Sequence, residues 1–370
     1  MLPLLPFYAE RFGASPQVVG FLITTYAACQ LVAGPILGRL SDRVGRRPLL
    51  LVSQVGTLIG FLILAFSKVL WLIFLSRIID GLTAGNLSLA QAYISDVTEP
   101  QDRARAFGLI GVAFGIGFLF GPAISGHLAQ FSYQYPIFAA AALSLMSILG
   151  TYFLLPSEPP RQLPPTLEKN IPHGFLDWKS YVSYFKRPPL SGFLWQFAFF
   201  CLAFASFTSG FALFAERRYT HQGMPFGPKE VGYVFAYVGF LGIVLQGGFI
   251  KPLVKRFGEE KLAATGFLAA AVGYTLMGFT WRVPSLLLVA AVASFGTGVL
   301  RPSLTSLITR SVGRDEQGVI LGLTQSLFSI AQILAPIAAG FMIERSWLAS
   351  WSLLTGSLMA AGLFVSMKED

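Results

Sequence analysis

Eleven stretches of this chain each run for roughly twenty residues with almost no charge, and no other feature restricts the fold as tightly. Their limits fall near 17–38, 49–67, 69–95, 106–128, 134–155, 190–216, 228–250, 262–280, 284–309, 318–343 and 347–366. A run of about 18 apolar residues is long enough to cross the ~30 Å hydrocarbon layer of a bilayer as a helix. Lipid offers backbone groups no hydrogen-bond partner, so each run must be helical. Only 12% of residues are charged, about half the share usual in a water-soluble domain. The expected fold is therefore an all-α integral membrane protein. Most runs carry Gly, Ser, Thr or Gln, the residues that pack helices against one another in lipid.

Charge fixes an orientation. The chain carries a net charge of +9, which alone would fit nucleic acid, but its distribution fits a membrane. With alternate loops assigned to alternate sides, 18 of the 27 Lys and Arg residues fall on one side and 7 on the other, with Arg77 and Arg301 inside spans. The positive-inside rule assigns the 18-charge side, and with it Asp370, to the cytoplasm. Met1–Tyr8 would then be apolar but reach only ~12 Å as a helix. The simplest expectation is the outer end of a first helix that is largely missing, through a late start site or a truncation. No secretory leader pattern is visible.

Residues 156–189 hold eight prolines and read as a linker between a bundle over 1–155 and another over 190–370. Trp178, Tyr181, Tyr184 and Phe185 beside Lys179 and Lys186 suggest a segment lying on the membrane surface. The two bundles repeat one another. Phe107-Gly108-Leu109 matches Leu321-Gly322-Leu323, and Gly121-Pro122 with Gly126 matches Ala335-Pro336 with Gly340, at an offset of 214 residues. Leu40 and Arg43-Val44-Gly45 match Leu253 and Arg256-Phe257-Gly258 at an offset of 213. Parallel repeats of six helices put a substrate site between the bundles, near mid-membrane.

Three motifs carry chemistry. The short connection from Gly38 to Pro48 contains Asp42, Arg43, Gly45, Arg46 and Arg47. Arginines alone would serve topology, but Asp42 is able to accept hydrogen bonds from neighbouring arginines or helix-terminal amides. The glycines permit a tight turn. The second motif is Gly111, Gly115, Gly117, Gly121-Pro122 and Gly126, whose small residues let helix backbones approach closely. The third is the span 69–95. Arg77, Asp80, Gly81, Ala84, Ser88, Gln91 and Ser95 fall in one ~100° arc, with Leu75, Ile78, Ile79, Leu82 and Leu89 opposite, so the first arc is expected to face a cavity. Asp80 lies ~16 Å into that helix, where an acid is costly unless paired or protonated and is a functional candidate. A static Arg77–Asp80 pair is the bland alternative.

The 38–48 motif resembles the signature between the second and third helices of the major facilitator superfamily, and the repeat, linker and charge layout fit the same family. The resemblance implies a gating loop that latches the bundles on the cytoplasmic face during alternating access. The glycine motif resembles the fifth-helix element of proton-coupled drug antiporters, and the whole chain is most similar to the tetracycline-efflux-like branch. In that family a fourth-helix Arg followed four residues on by Gly is linked to proton transfer; Arg77 and Gly81 match, and Asp80 replaces the commoner neutral residue. The tetracycline exporters also use an acid in the first helix, the segment missing here.

These readings converge on a secondary transporter exporting hydrophobic drug-like molecules in exchange for protons. A uniporter or importer of a metabolite and an inactive truncated scaffold are the rivals. Candidate cavity residues are Tyr26, Gln30, Ser88, Gln91, Gln196, Tyr233, Tyr237, Gln246, Arg301, Gln325 and Gln332. No Gly-Lys phosphate-binding loop occurs, which argues against ATP hydrolysis. Cys29 and Cys201 lie inside spans, and neither they nor His127, His173 and His221 form a metal or catalytic pattern. The expected partners are a small molecule, protons and lipid, with no cofactor, no nucleic acid, no enzyme activity and a functional monomer.

Overall fold

The computed structural model describes residues 4–98, 103–156, 183–313 and 316–368, with the side chains of Ser95, residues 103–108, Gly111 and Gly318 outside that description. Trp178, Lys179 and Tyr181 of the expected surface segment also fall outside it. The helices are α1 (Leu5–Glu10), α2 (Pro16–Val44), α3 (Arg46–Ala65), α4 (Leu70–Leu82), α5 (Asn86–Val97), α6 (Arg103–Ala129), α7 (Gln134–Leu154), α8 (Leu190–Arg218), α9 (Pro228–Val244), α10 (Ile250–Phe257), α11 (Glu259–Met277), α12 (Val283–Arg310), α13 (Gln317–Glu344) and α14 (Leu348–Ser366). A two-stranded hairpin, Thr220–His221 with Met224–Pro225, joins α8 to α9. Its turn residues Gln222 and Gly223 have φ of 53° and 79°, the left-handed pair that a two-residue hairpin needs.

Ten helical segments among the described residues are long and apolar enough to cross a membrane. The expected span 262–280 appears as the 19-residue α11, which is not one of those ten. The expected span 69–95 is two helices, because the chain breaks at Thr83–Gly85 between α4 and α5. The expected span 228–250 continues to Phe257 through a π-helical turn, Leu245–Phe249, which contains Gly247 and Gly248. Glycine pairs tolerate that wider winding.

The expected ten-residue connection from Gly38 to Pro48 is a single residue. α2 stays helical through Val44 and α3 starts at Arg46, leaving Gly45 alone between them with φ 105° and ψ 150°. An L side chain rarely adopts that φ, so glycine there permits the reversal. Pro48 falls in the first turn of α3, where no intrahelical N–H is needed. Gly258, the repeat counterpart of Gly45, does the same between α10 and α11 with φ 78° and ψ 164°.

The helices form two groups, α1–α7 and α8–α14, joined chiefly by α2 with α13 and α6 with α9, with lesser contacts of α1 and α2 on α8. The two seams are pseudo-symmetric copies. A Cβ on Gly126 would meet the Pro228 carbonyl and Lys229, and one on Gly340 would meet the Pro16 carbonyl and Gln17. Likewise Gly232 lies on the Pro122 carbonyl and Gly20 on the Pro336 carbonyl. Backbone-on-backbone contact of this kind requires glycine. The central helix α8 is buried along its length, and Phe207, Phe211 and Phe235 with Tyr274 form an aromatic core beside it.

Candidate functional site: a buried ion pair beside an opening between helix groups

The break in the fourth span is held by side chains. Ser53 of α3 donates its hydroxyl hydrogen to the Thr83 carbonyl and accepts the Gly85 N–H at 3.0 Å. Thr83 bonds back to the Ile79 carbonyl at 2.8 Å, and the absence of a side chain on Gly56 leaves it room. Asn86 donates to the Thr57 hydroxyl at 3.2 Å. The break interrupts the arc drawn for a continuous helix. Leu89, expected on the lipid side, is buried against Leu49 and Leu50, while Ser88 and Gln91 are exposed.

Arg77 and Asp80 lie in the last turns of α4, with 3.4 Å between Nη1 and Oδ2. They are 8% and 6% exposed, so the pair is enclosed by helices and not displayed on a cavity wall. The Thr57 hydroxyl lies near the Asp80 carboxylate. Gly60 sits against Asp80 and the Ser76 carbonyl, and Gly81 sits against the Tyr26 carbonyl and Cys29, so three helices close tightly around the acid. Gln30 donates to the Tyr26 hydroxyl at 3.4 Å, beside this pair. Nη2 of Arg77 is buried and has no hydrogen-bond partner among the described residues. A buried guanidinium nitrogen left unpaired is costly, and a rearrangement that engages it would be favoured.

At the Gly45 turn, Arg46 is a hub. It reaches Asp42 at 2.6 Å, Asp96 of α5 at 2.9 Å and the Ser41 hydroxyl at 2.6 Å. Arg47 donates to the Tyr152 carbonyl, while Arg43 is exposed. The repeat reproduces this hub with its charges reversed. Glu259 stands where Arg46 does and Arg310 where Asp96 does, 3.1 Å apart, with Ser306 donating to Glu259 at 2.8 Å. Sequence matching missed this because opposite charges score as unrelated.

The two seams lie toward the side opposite Gly45 and Gly258. Ser15 and the Gln17 N–H donate to Glu344 at 2.8 and 3.0 Å, Thr24 donates to the Ile333 carbonyl at 2.8 Å, and Arg217 reaches Glu10 at 2.6 Å. The α6–α9 contacts run from Gly126 to Gly115, which meets Ile243. Beyond that point, toward the Gly45 side, Gly34 and Gly38 of α2 and Gly322 of α13, on the same helix faces as Gly20 and Gly340, have open space where a Cβ would go. The groups are thus closed on one side and parted on the other, around an opening between them.

The candidate cavity residues divide accordingly. Gln246, Arg301 and Gln325 are exposed at the level of the opening, and Tyr26 and Gln30 lie half-buried across from them. Tyr237 and Gln332 are half-buried in the seams. Tyr233 is exposed at the level of the Gly232–Pro122 contact, and Gln196 is buried within the second group. In the glycine motif, Gly115 and Gly126 face α9 but Gly117 and Gly121 have open space where a Cβ would go. The reason is periodicity: Gly115, Pro122 and Gly126 share one face within about 40°, and Gly117 and Gly121 lie roughly opposite.

The long apolar helices, the repeated seams and the central opening define a multi-pass membrane protein built like a transporter. The family model described as Major Facilitator Superfamily matches residues 1–251 and 247–369, and the chain belongs to that superfamily. It is 32% identical over 345 residues to the tetracycline resistance protein, class C, of Escherichia coli, covering 91% of this chain and 83% of that one. It is 26% identical over 375 residues to multidrug resistance protein 2 of Bacillus subtilis, covering 99% and 90%. Similar solved structures include the human organic anion transporter MFSD10 (TETRAN), with TM-score 0.72 and 23% identity over 99% of this chain and 94% of that one. The nucleoside transporter NupG has TM-score 0.73 and 14% identity over 100% and 96%.

Proposed function

We propose that this protein exports hydrophobic drug-like molecules in exchange for protons, by alternating access between two bundles, 1–155 and 190–370, joined by the linker 156–189. The proposal places it in a cell membrane, plasma or bacterial inner, as a monomer with Asp370 and the Gly45 side in the cytoplasm. The supporting observation is the placement of Arg77 and Asp80, buried together at the depth where the opening closes. The tetracycline and multidrug resistance proteins to which the chain is similar support the substrate class. An acid held at mid-membrane beside a cation has two states: paired with Arg77 when charged, free of it when protonated. Substrate entering the opening favours the paired state, in which Asp80 gives up its proton and meets Arg77, so that substrate binding releases the proton. The gating role belongs to the Arg46 hub, which ties α5 to the Gly45 turn while the opening faces that side.

The test uses purified protein in lipid vesicles, with tetracycline and norfloxacin as probes. Efflux should rise with an imposed proton gradient, and Asp80→Asn should lose gradient-driven accumulation while keeping downhill exchange. Substrate-induced proton release from the purified protein should fall with Asp80→Asn. Equal proton release from both proteins would refute the assignment of Asp80.

A further inference from the structure

Arg301 is a guanidinium at membrane depth that the proton-coupling reading does not use. It sits nine residues before the end of α12 at Arg310, about 13 Å along the helix, farther than an arginine side chain reaches. It is exposed, yet it does not lie on the lipid stripe of α12. Leu288 and Phe295, the exposed apolar residues of that helix, are more than about 100° away around the axis. Ser294, whose hydroxyl donates to the Val238 carbonyl of α9 at 3.1 Å, is only about 20° away and two turns nearer the closed side. Arg301 therefore points toward α9 and α13, the second group's members of the two seams.

Its level in the molecule is set by its neighbours. The guanidinium stands over the Phe328 ring of α13 at 5.7 Å. Gly298, one turn away, packs on Leu245, where the exposed π-helical turn begins. The seams pair Pro16 with Gly340, Gly20 with Pro336 and Thr24 with Ile333. Continuing that antiparallel register puts Phe328 at the level of Cys29, and hence of Tyr26, Gln30 and the Arg77–Asp80 pair. Arg301 thus stands on the second wall of the opening, just past the last contact between the groups.

It also lacks a fixed counter-ion. No carboxylate pairs with Arg301 among the described residues, and several acids are engaged elsewhere. Asp80 is held by Arg77, Asp42 and Asp96 by Arg46, Glu259 by Arg310, Glu316 by Arg187 and Glu10 by Arg217. An arginine at membrane depth that stands over an aromatic face, near the buried Cys201 and without a carboxylate partner among the described residues, is a strong attractor for an anion. Its planar fork fits a carboxylate, sulfonate or enolate, and Phe328 offers stacking to a ring attached to that group.

We propose that Arg301 and Phe328 form an acceptor for aromatic or polycyclic substrates carrying an acidic oxygen, so that the transporter prefers anions over neutral molecules of the same shape. This rests on reading the opening as the substrate path. The probes are 1-anilinonaphthalene-8-sulfonate and N-phenyl-1-naphthylamine, the same ring system with and without the sulfonate. Fluorescence titration of purified protein in lipid nanodiscs, with empty nanodiscs subtracted, gives both Kd values. Wild type should favour the sulfonate, and in Arg301→Gln the ratio of the two affinities should fall on the order of tenfold to a hundredfold, the worth of one charge-assisted hydrogen bond. Arg301→Lys keeps the charge without the planar fork and should retain part of the preference. It also serves where the glutamine variant does not elute as a single species. A ratio unchanged in both variants, or no preference in wild type, overturns the proposal. Gradient-driven efflux of N-phenyl-1-naphthylamine from vesicles tests the transport reading by itself. Its absence would sink that reading, while the binding ratio would still decide the role of Arg301.

Discussion

The two seams should set the balance between this conformation and one open on the other side, and a single methyl group should tip it. In Gly126→Ala the new Cβ falls 2.5 Å from the Pro228 carbonyl oxygen, and in Gly232→Ala it falls 2.5 Å from that of Pro122. Each is about 0.9 Å short of the 3.4 Å at which ordinary contact starts. Backbone supplies both sides of the clash, so no side-chain rotation relieves it and α6 must move away from α9. Overpacking of this order costs about 1–3 kcal/mol. If the other conformation lacks this contact, the population ratio moves roughly 5- to 150-fold. The assay is the labelling rate of Gln17→Cys by a membrane-impermeant maleimide, with Cys29 and Cys201 replaced by alanine. Gln17 lies in the α2–α13 seam, where its N–H bonds Glu344, so it reports parting of the closed side. Both alanine variants should label faster by about that factor. Gly117→Ala, which places its methyl in open space, should label at the parental rate. Parental rates in Gly126→Ala and Gly232→Ala would refute the claim that close backbone packing holds this side shut.

Other perturbations follow from the same contacts. Glu344→Gln weakens the acceptor shared by Ser15 and Gln17, and should accelerate labelling in the same assay by a few-fold, since hydrogen bonds to a charged group contribute about 1.5–3 kcal/mol and the amide keeps part of that. Arg46→Gln removes the hub between Asp42 and Asp96. Transport turnover in vesicles should drop while the protein still reaches the membrane, and an unchanged rate would count against a gating role. Ser53→Ala strips the Gly85 N–H and Thr83 carbonyl of their partner, and should cost about 1–3 kcal/mol, seen as a lower Tm of the purified protein. If the charge-reversed hub is a working copy, Glu259→Gln should slow turnover like Arg46→Gln, and Glu259→Arg with Arg310→Glu should restore it.

Much of this architecture is legible in the sequence because lipid leaves the backbone few choices. Apolar runs must become helices, and the offset of 214 residues that relates Gly126 to Gly340 already contains the symmetry of the two seams. Asp80 stood out for a similar reason, since an acid inside such a run is conspicuous. Residues that act through long-range partners were not legible. Gly20, Gly232 and Glu344 look like ordinary residues of their helices until the packing of α2 on α13 and α6 on α9 gives them neighbours. The glycine motif showed how many small residues lie on α6, but only the rotation of that helix decided that Gly115 and Gly126 face α9 and Gly117 does not.

The fourth span shows the division most clearly. Its sequence, apolar with a buried Arg and Asp, dictates a membrane helix and a costly charge. It does not dictate the break at Thr83–Gly85, because the hydroxyl that satisfies the freed backbone groups belongs to Ser53, thirty residues away on another helix. Local composition fixes which segments enter the membrane. Which of their faces meet, and so where Arg77, Asp80 and Arg301 stand relative to one another, depends on contacts between helices that no single segment encodes.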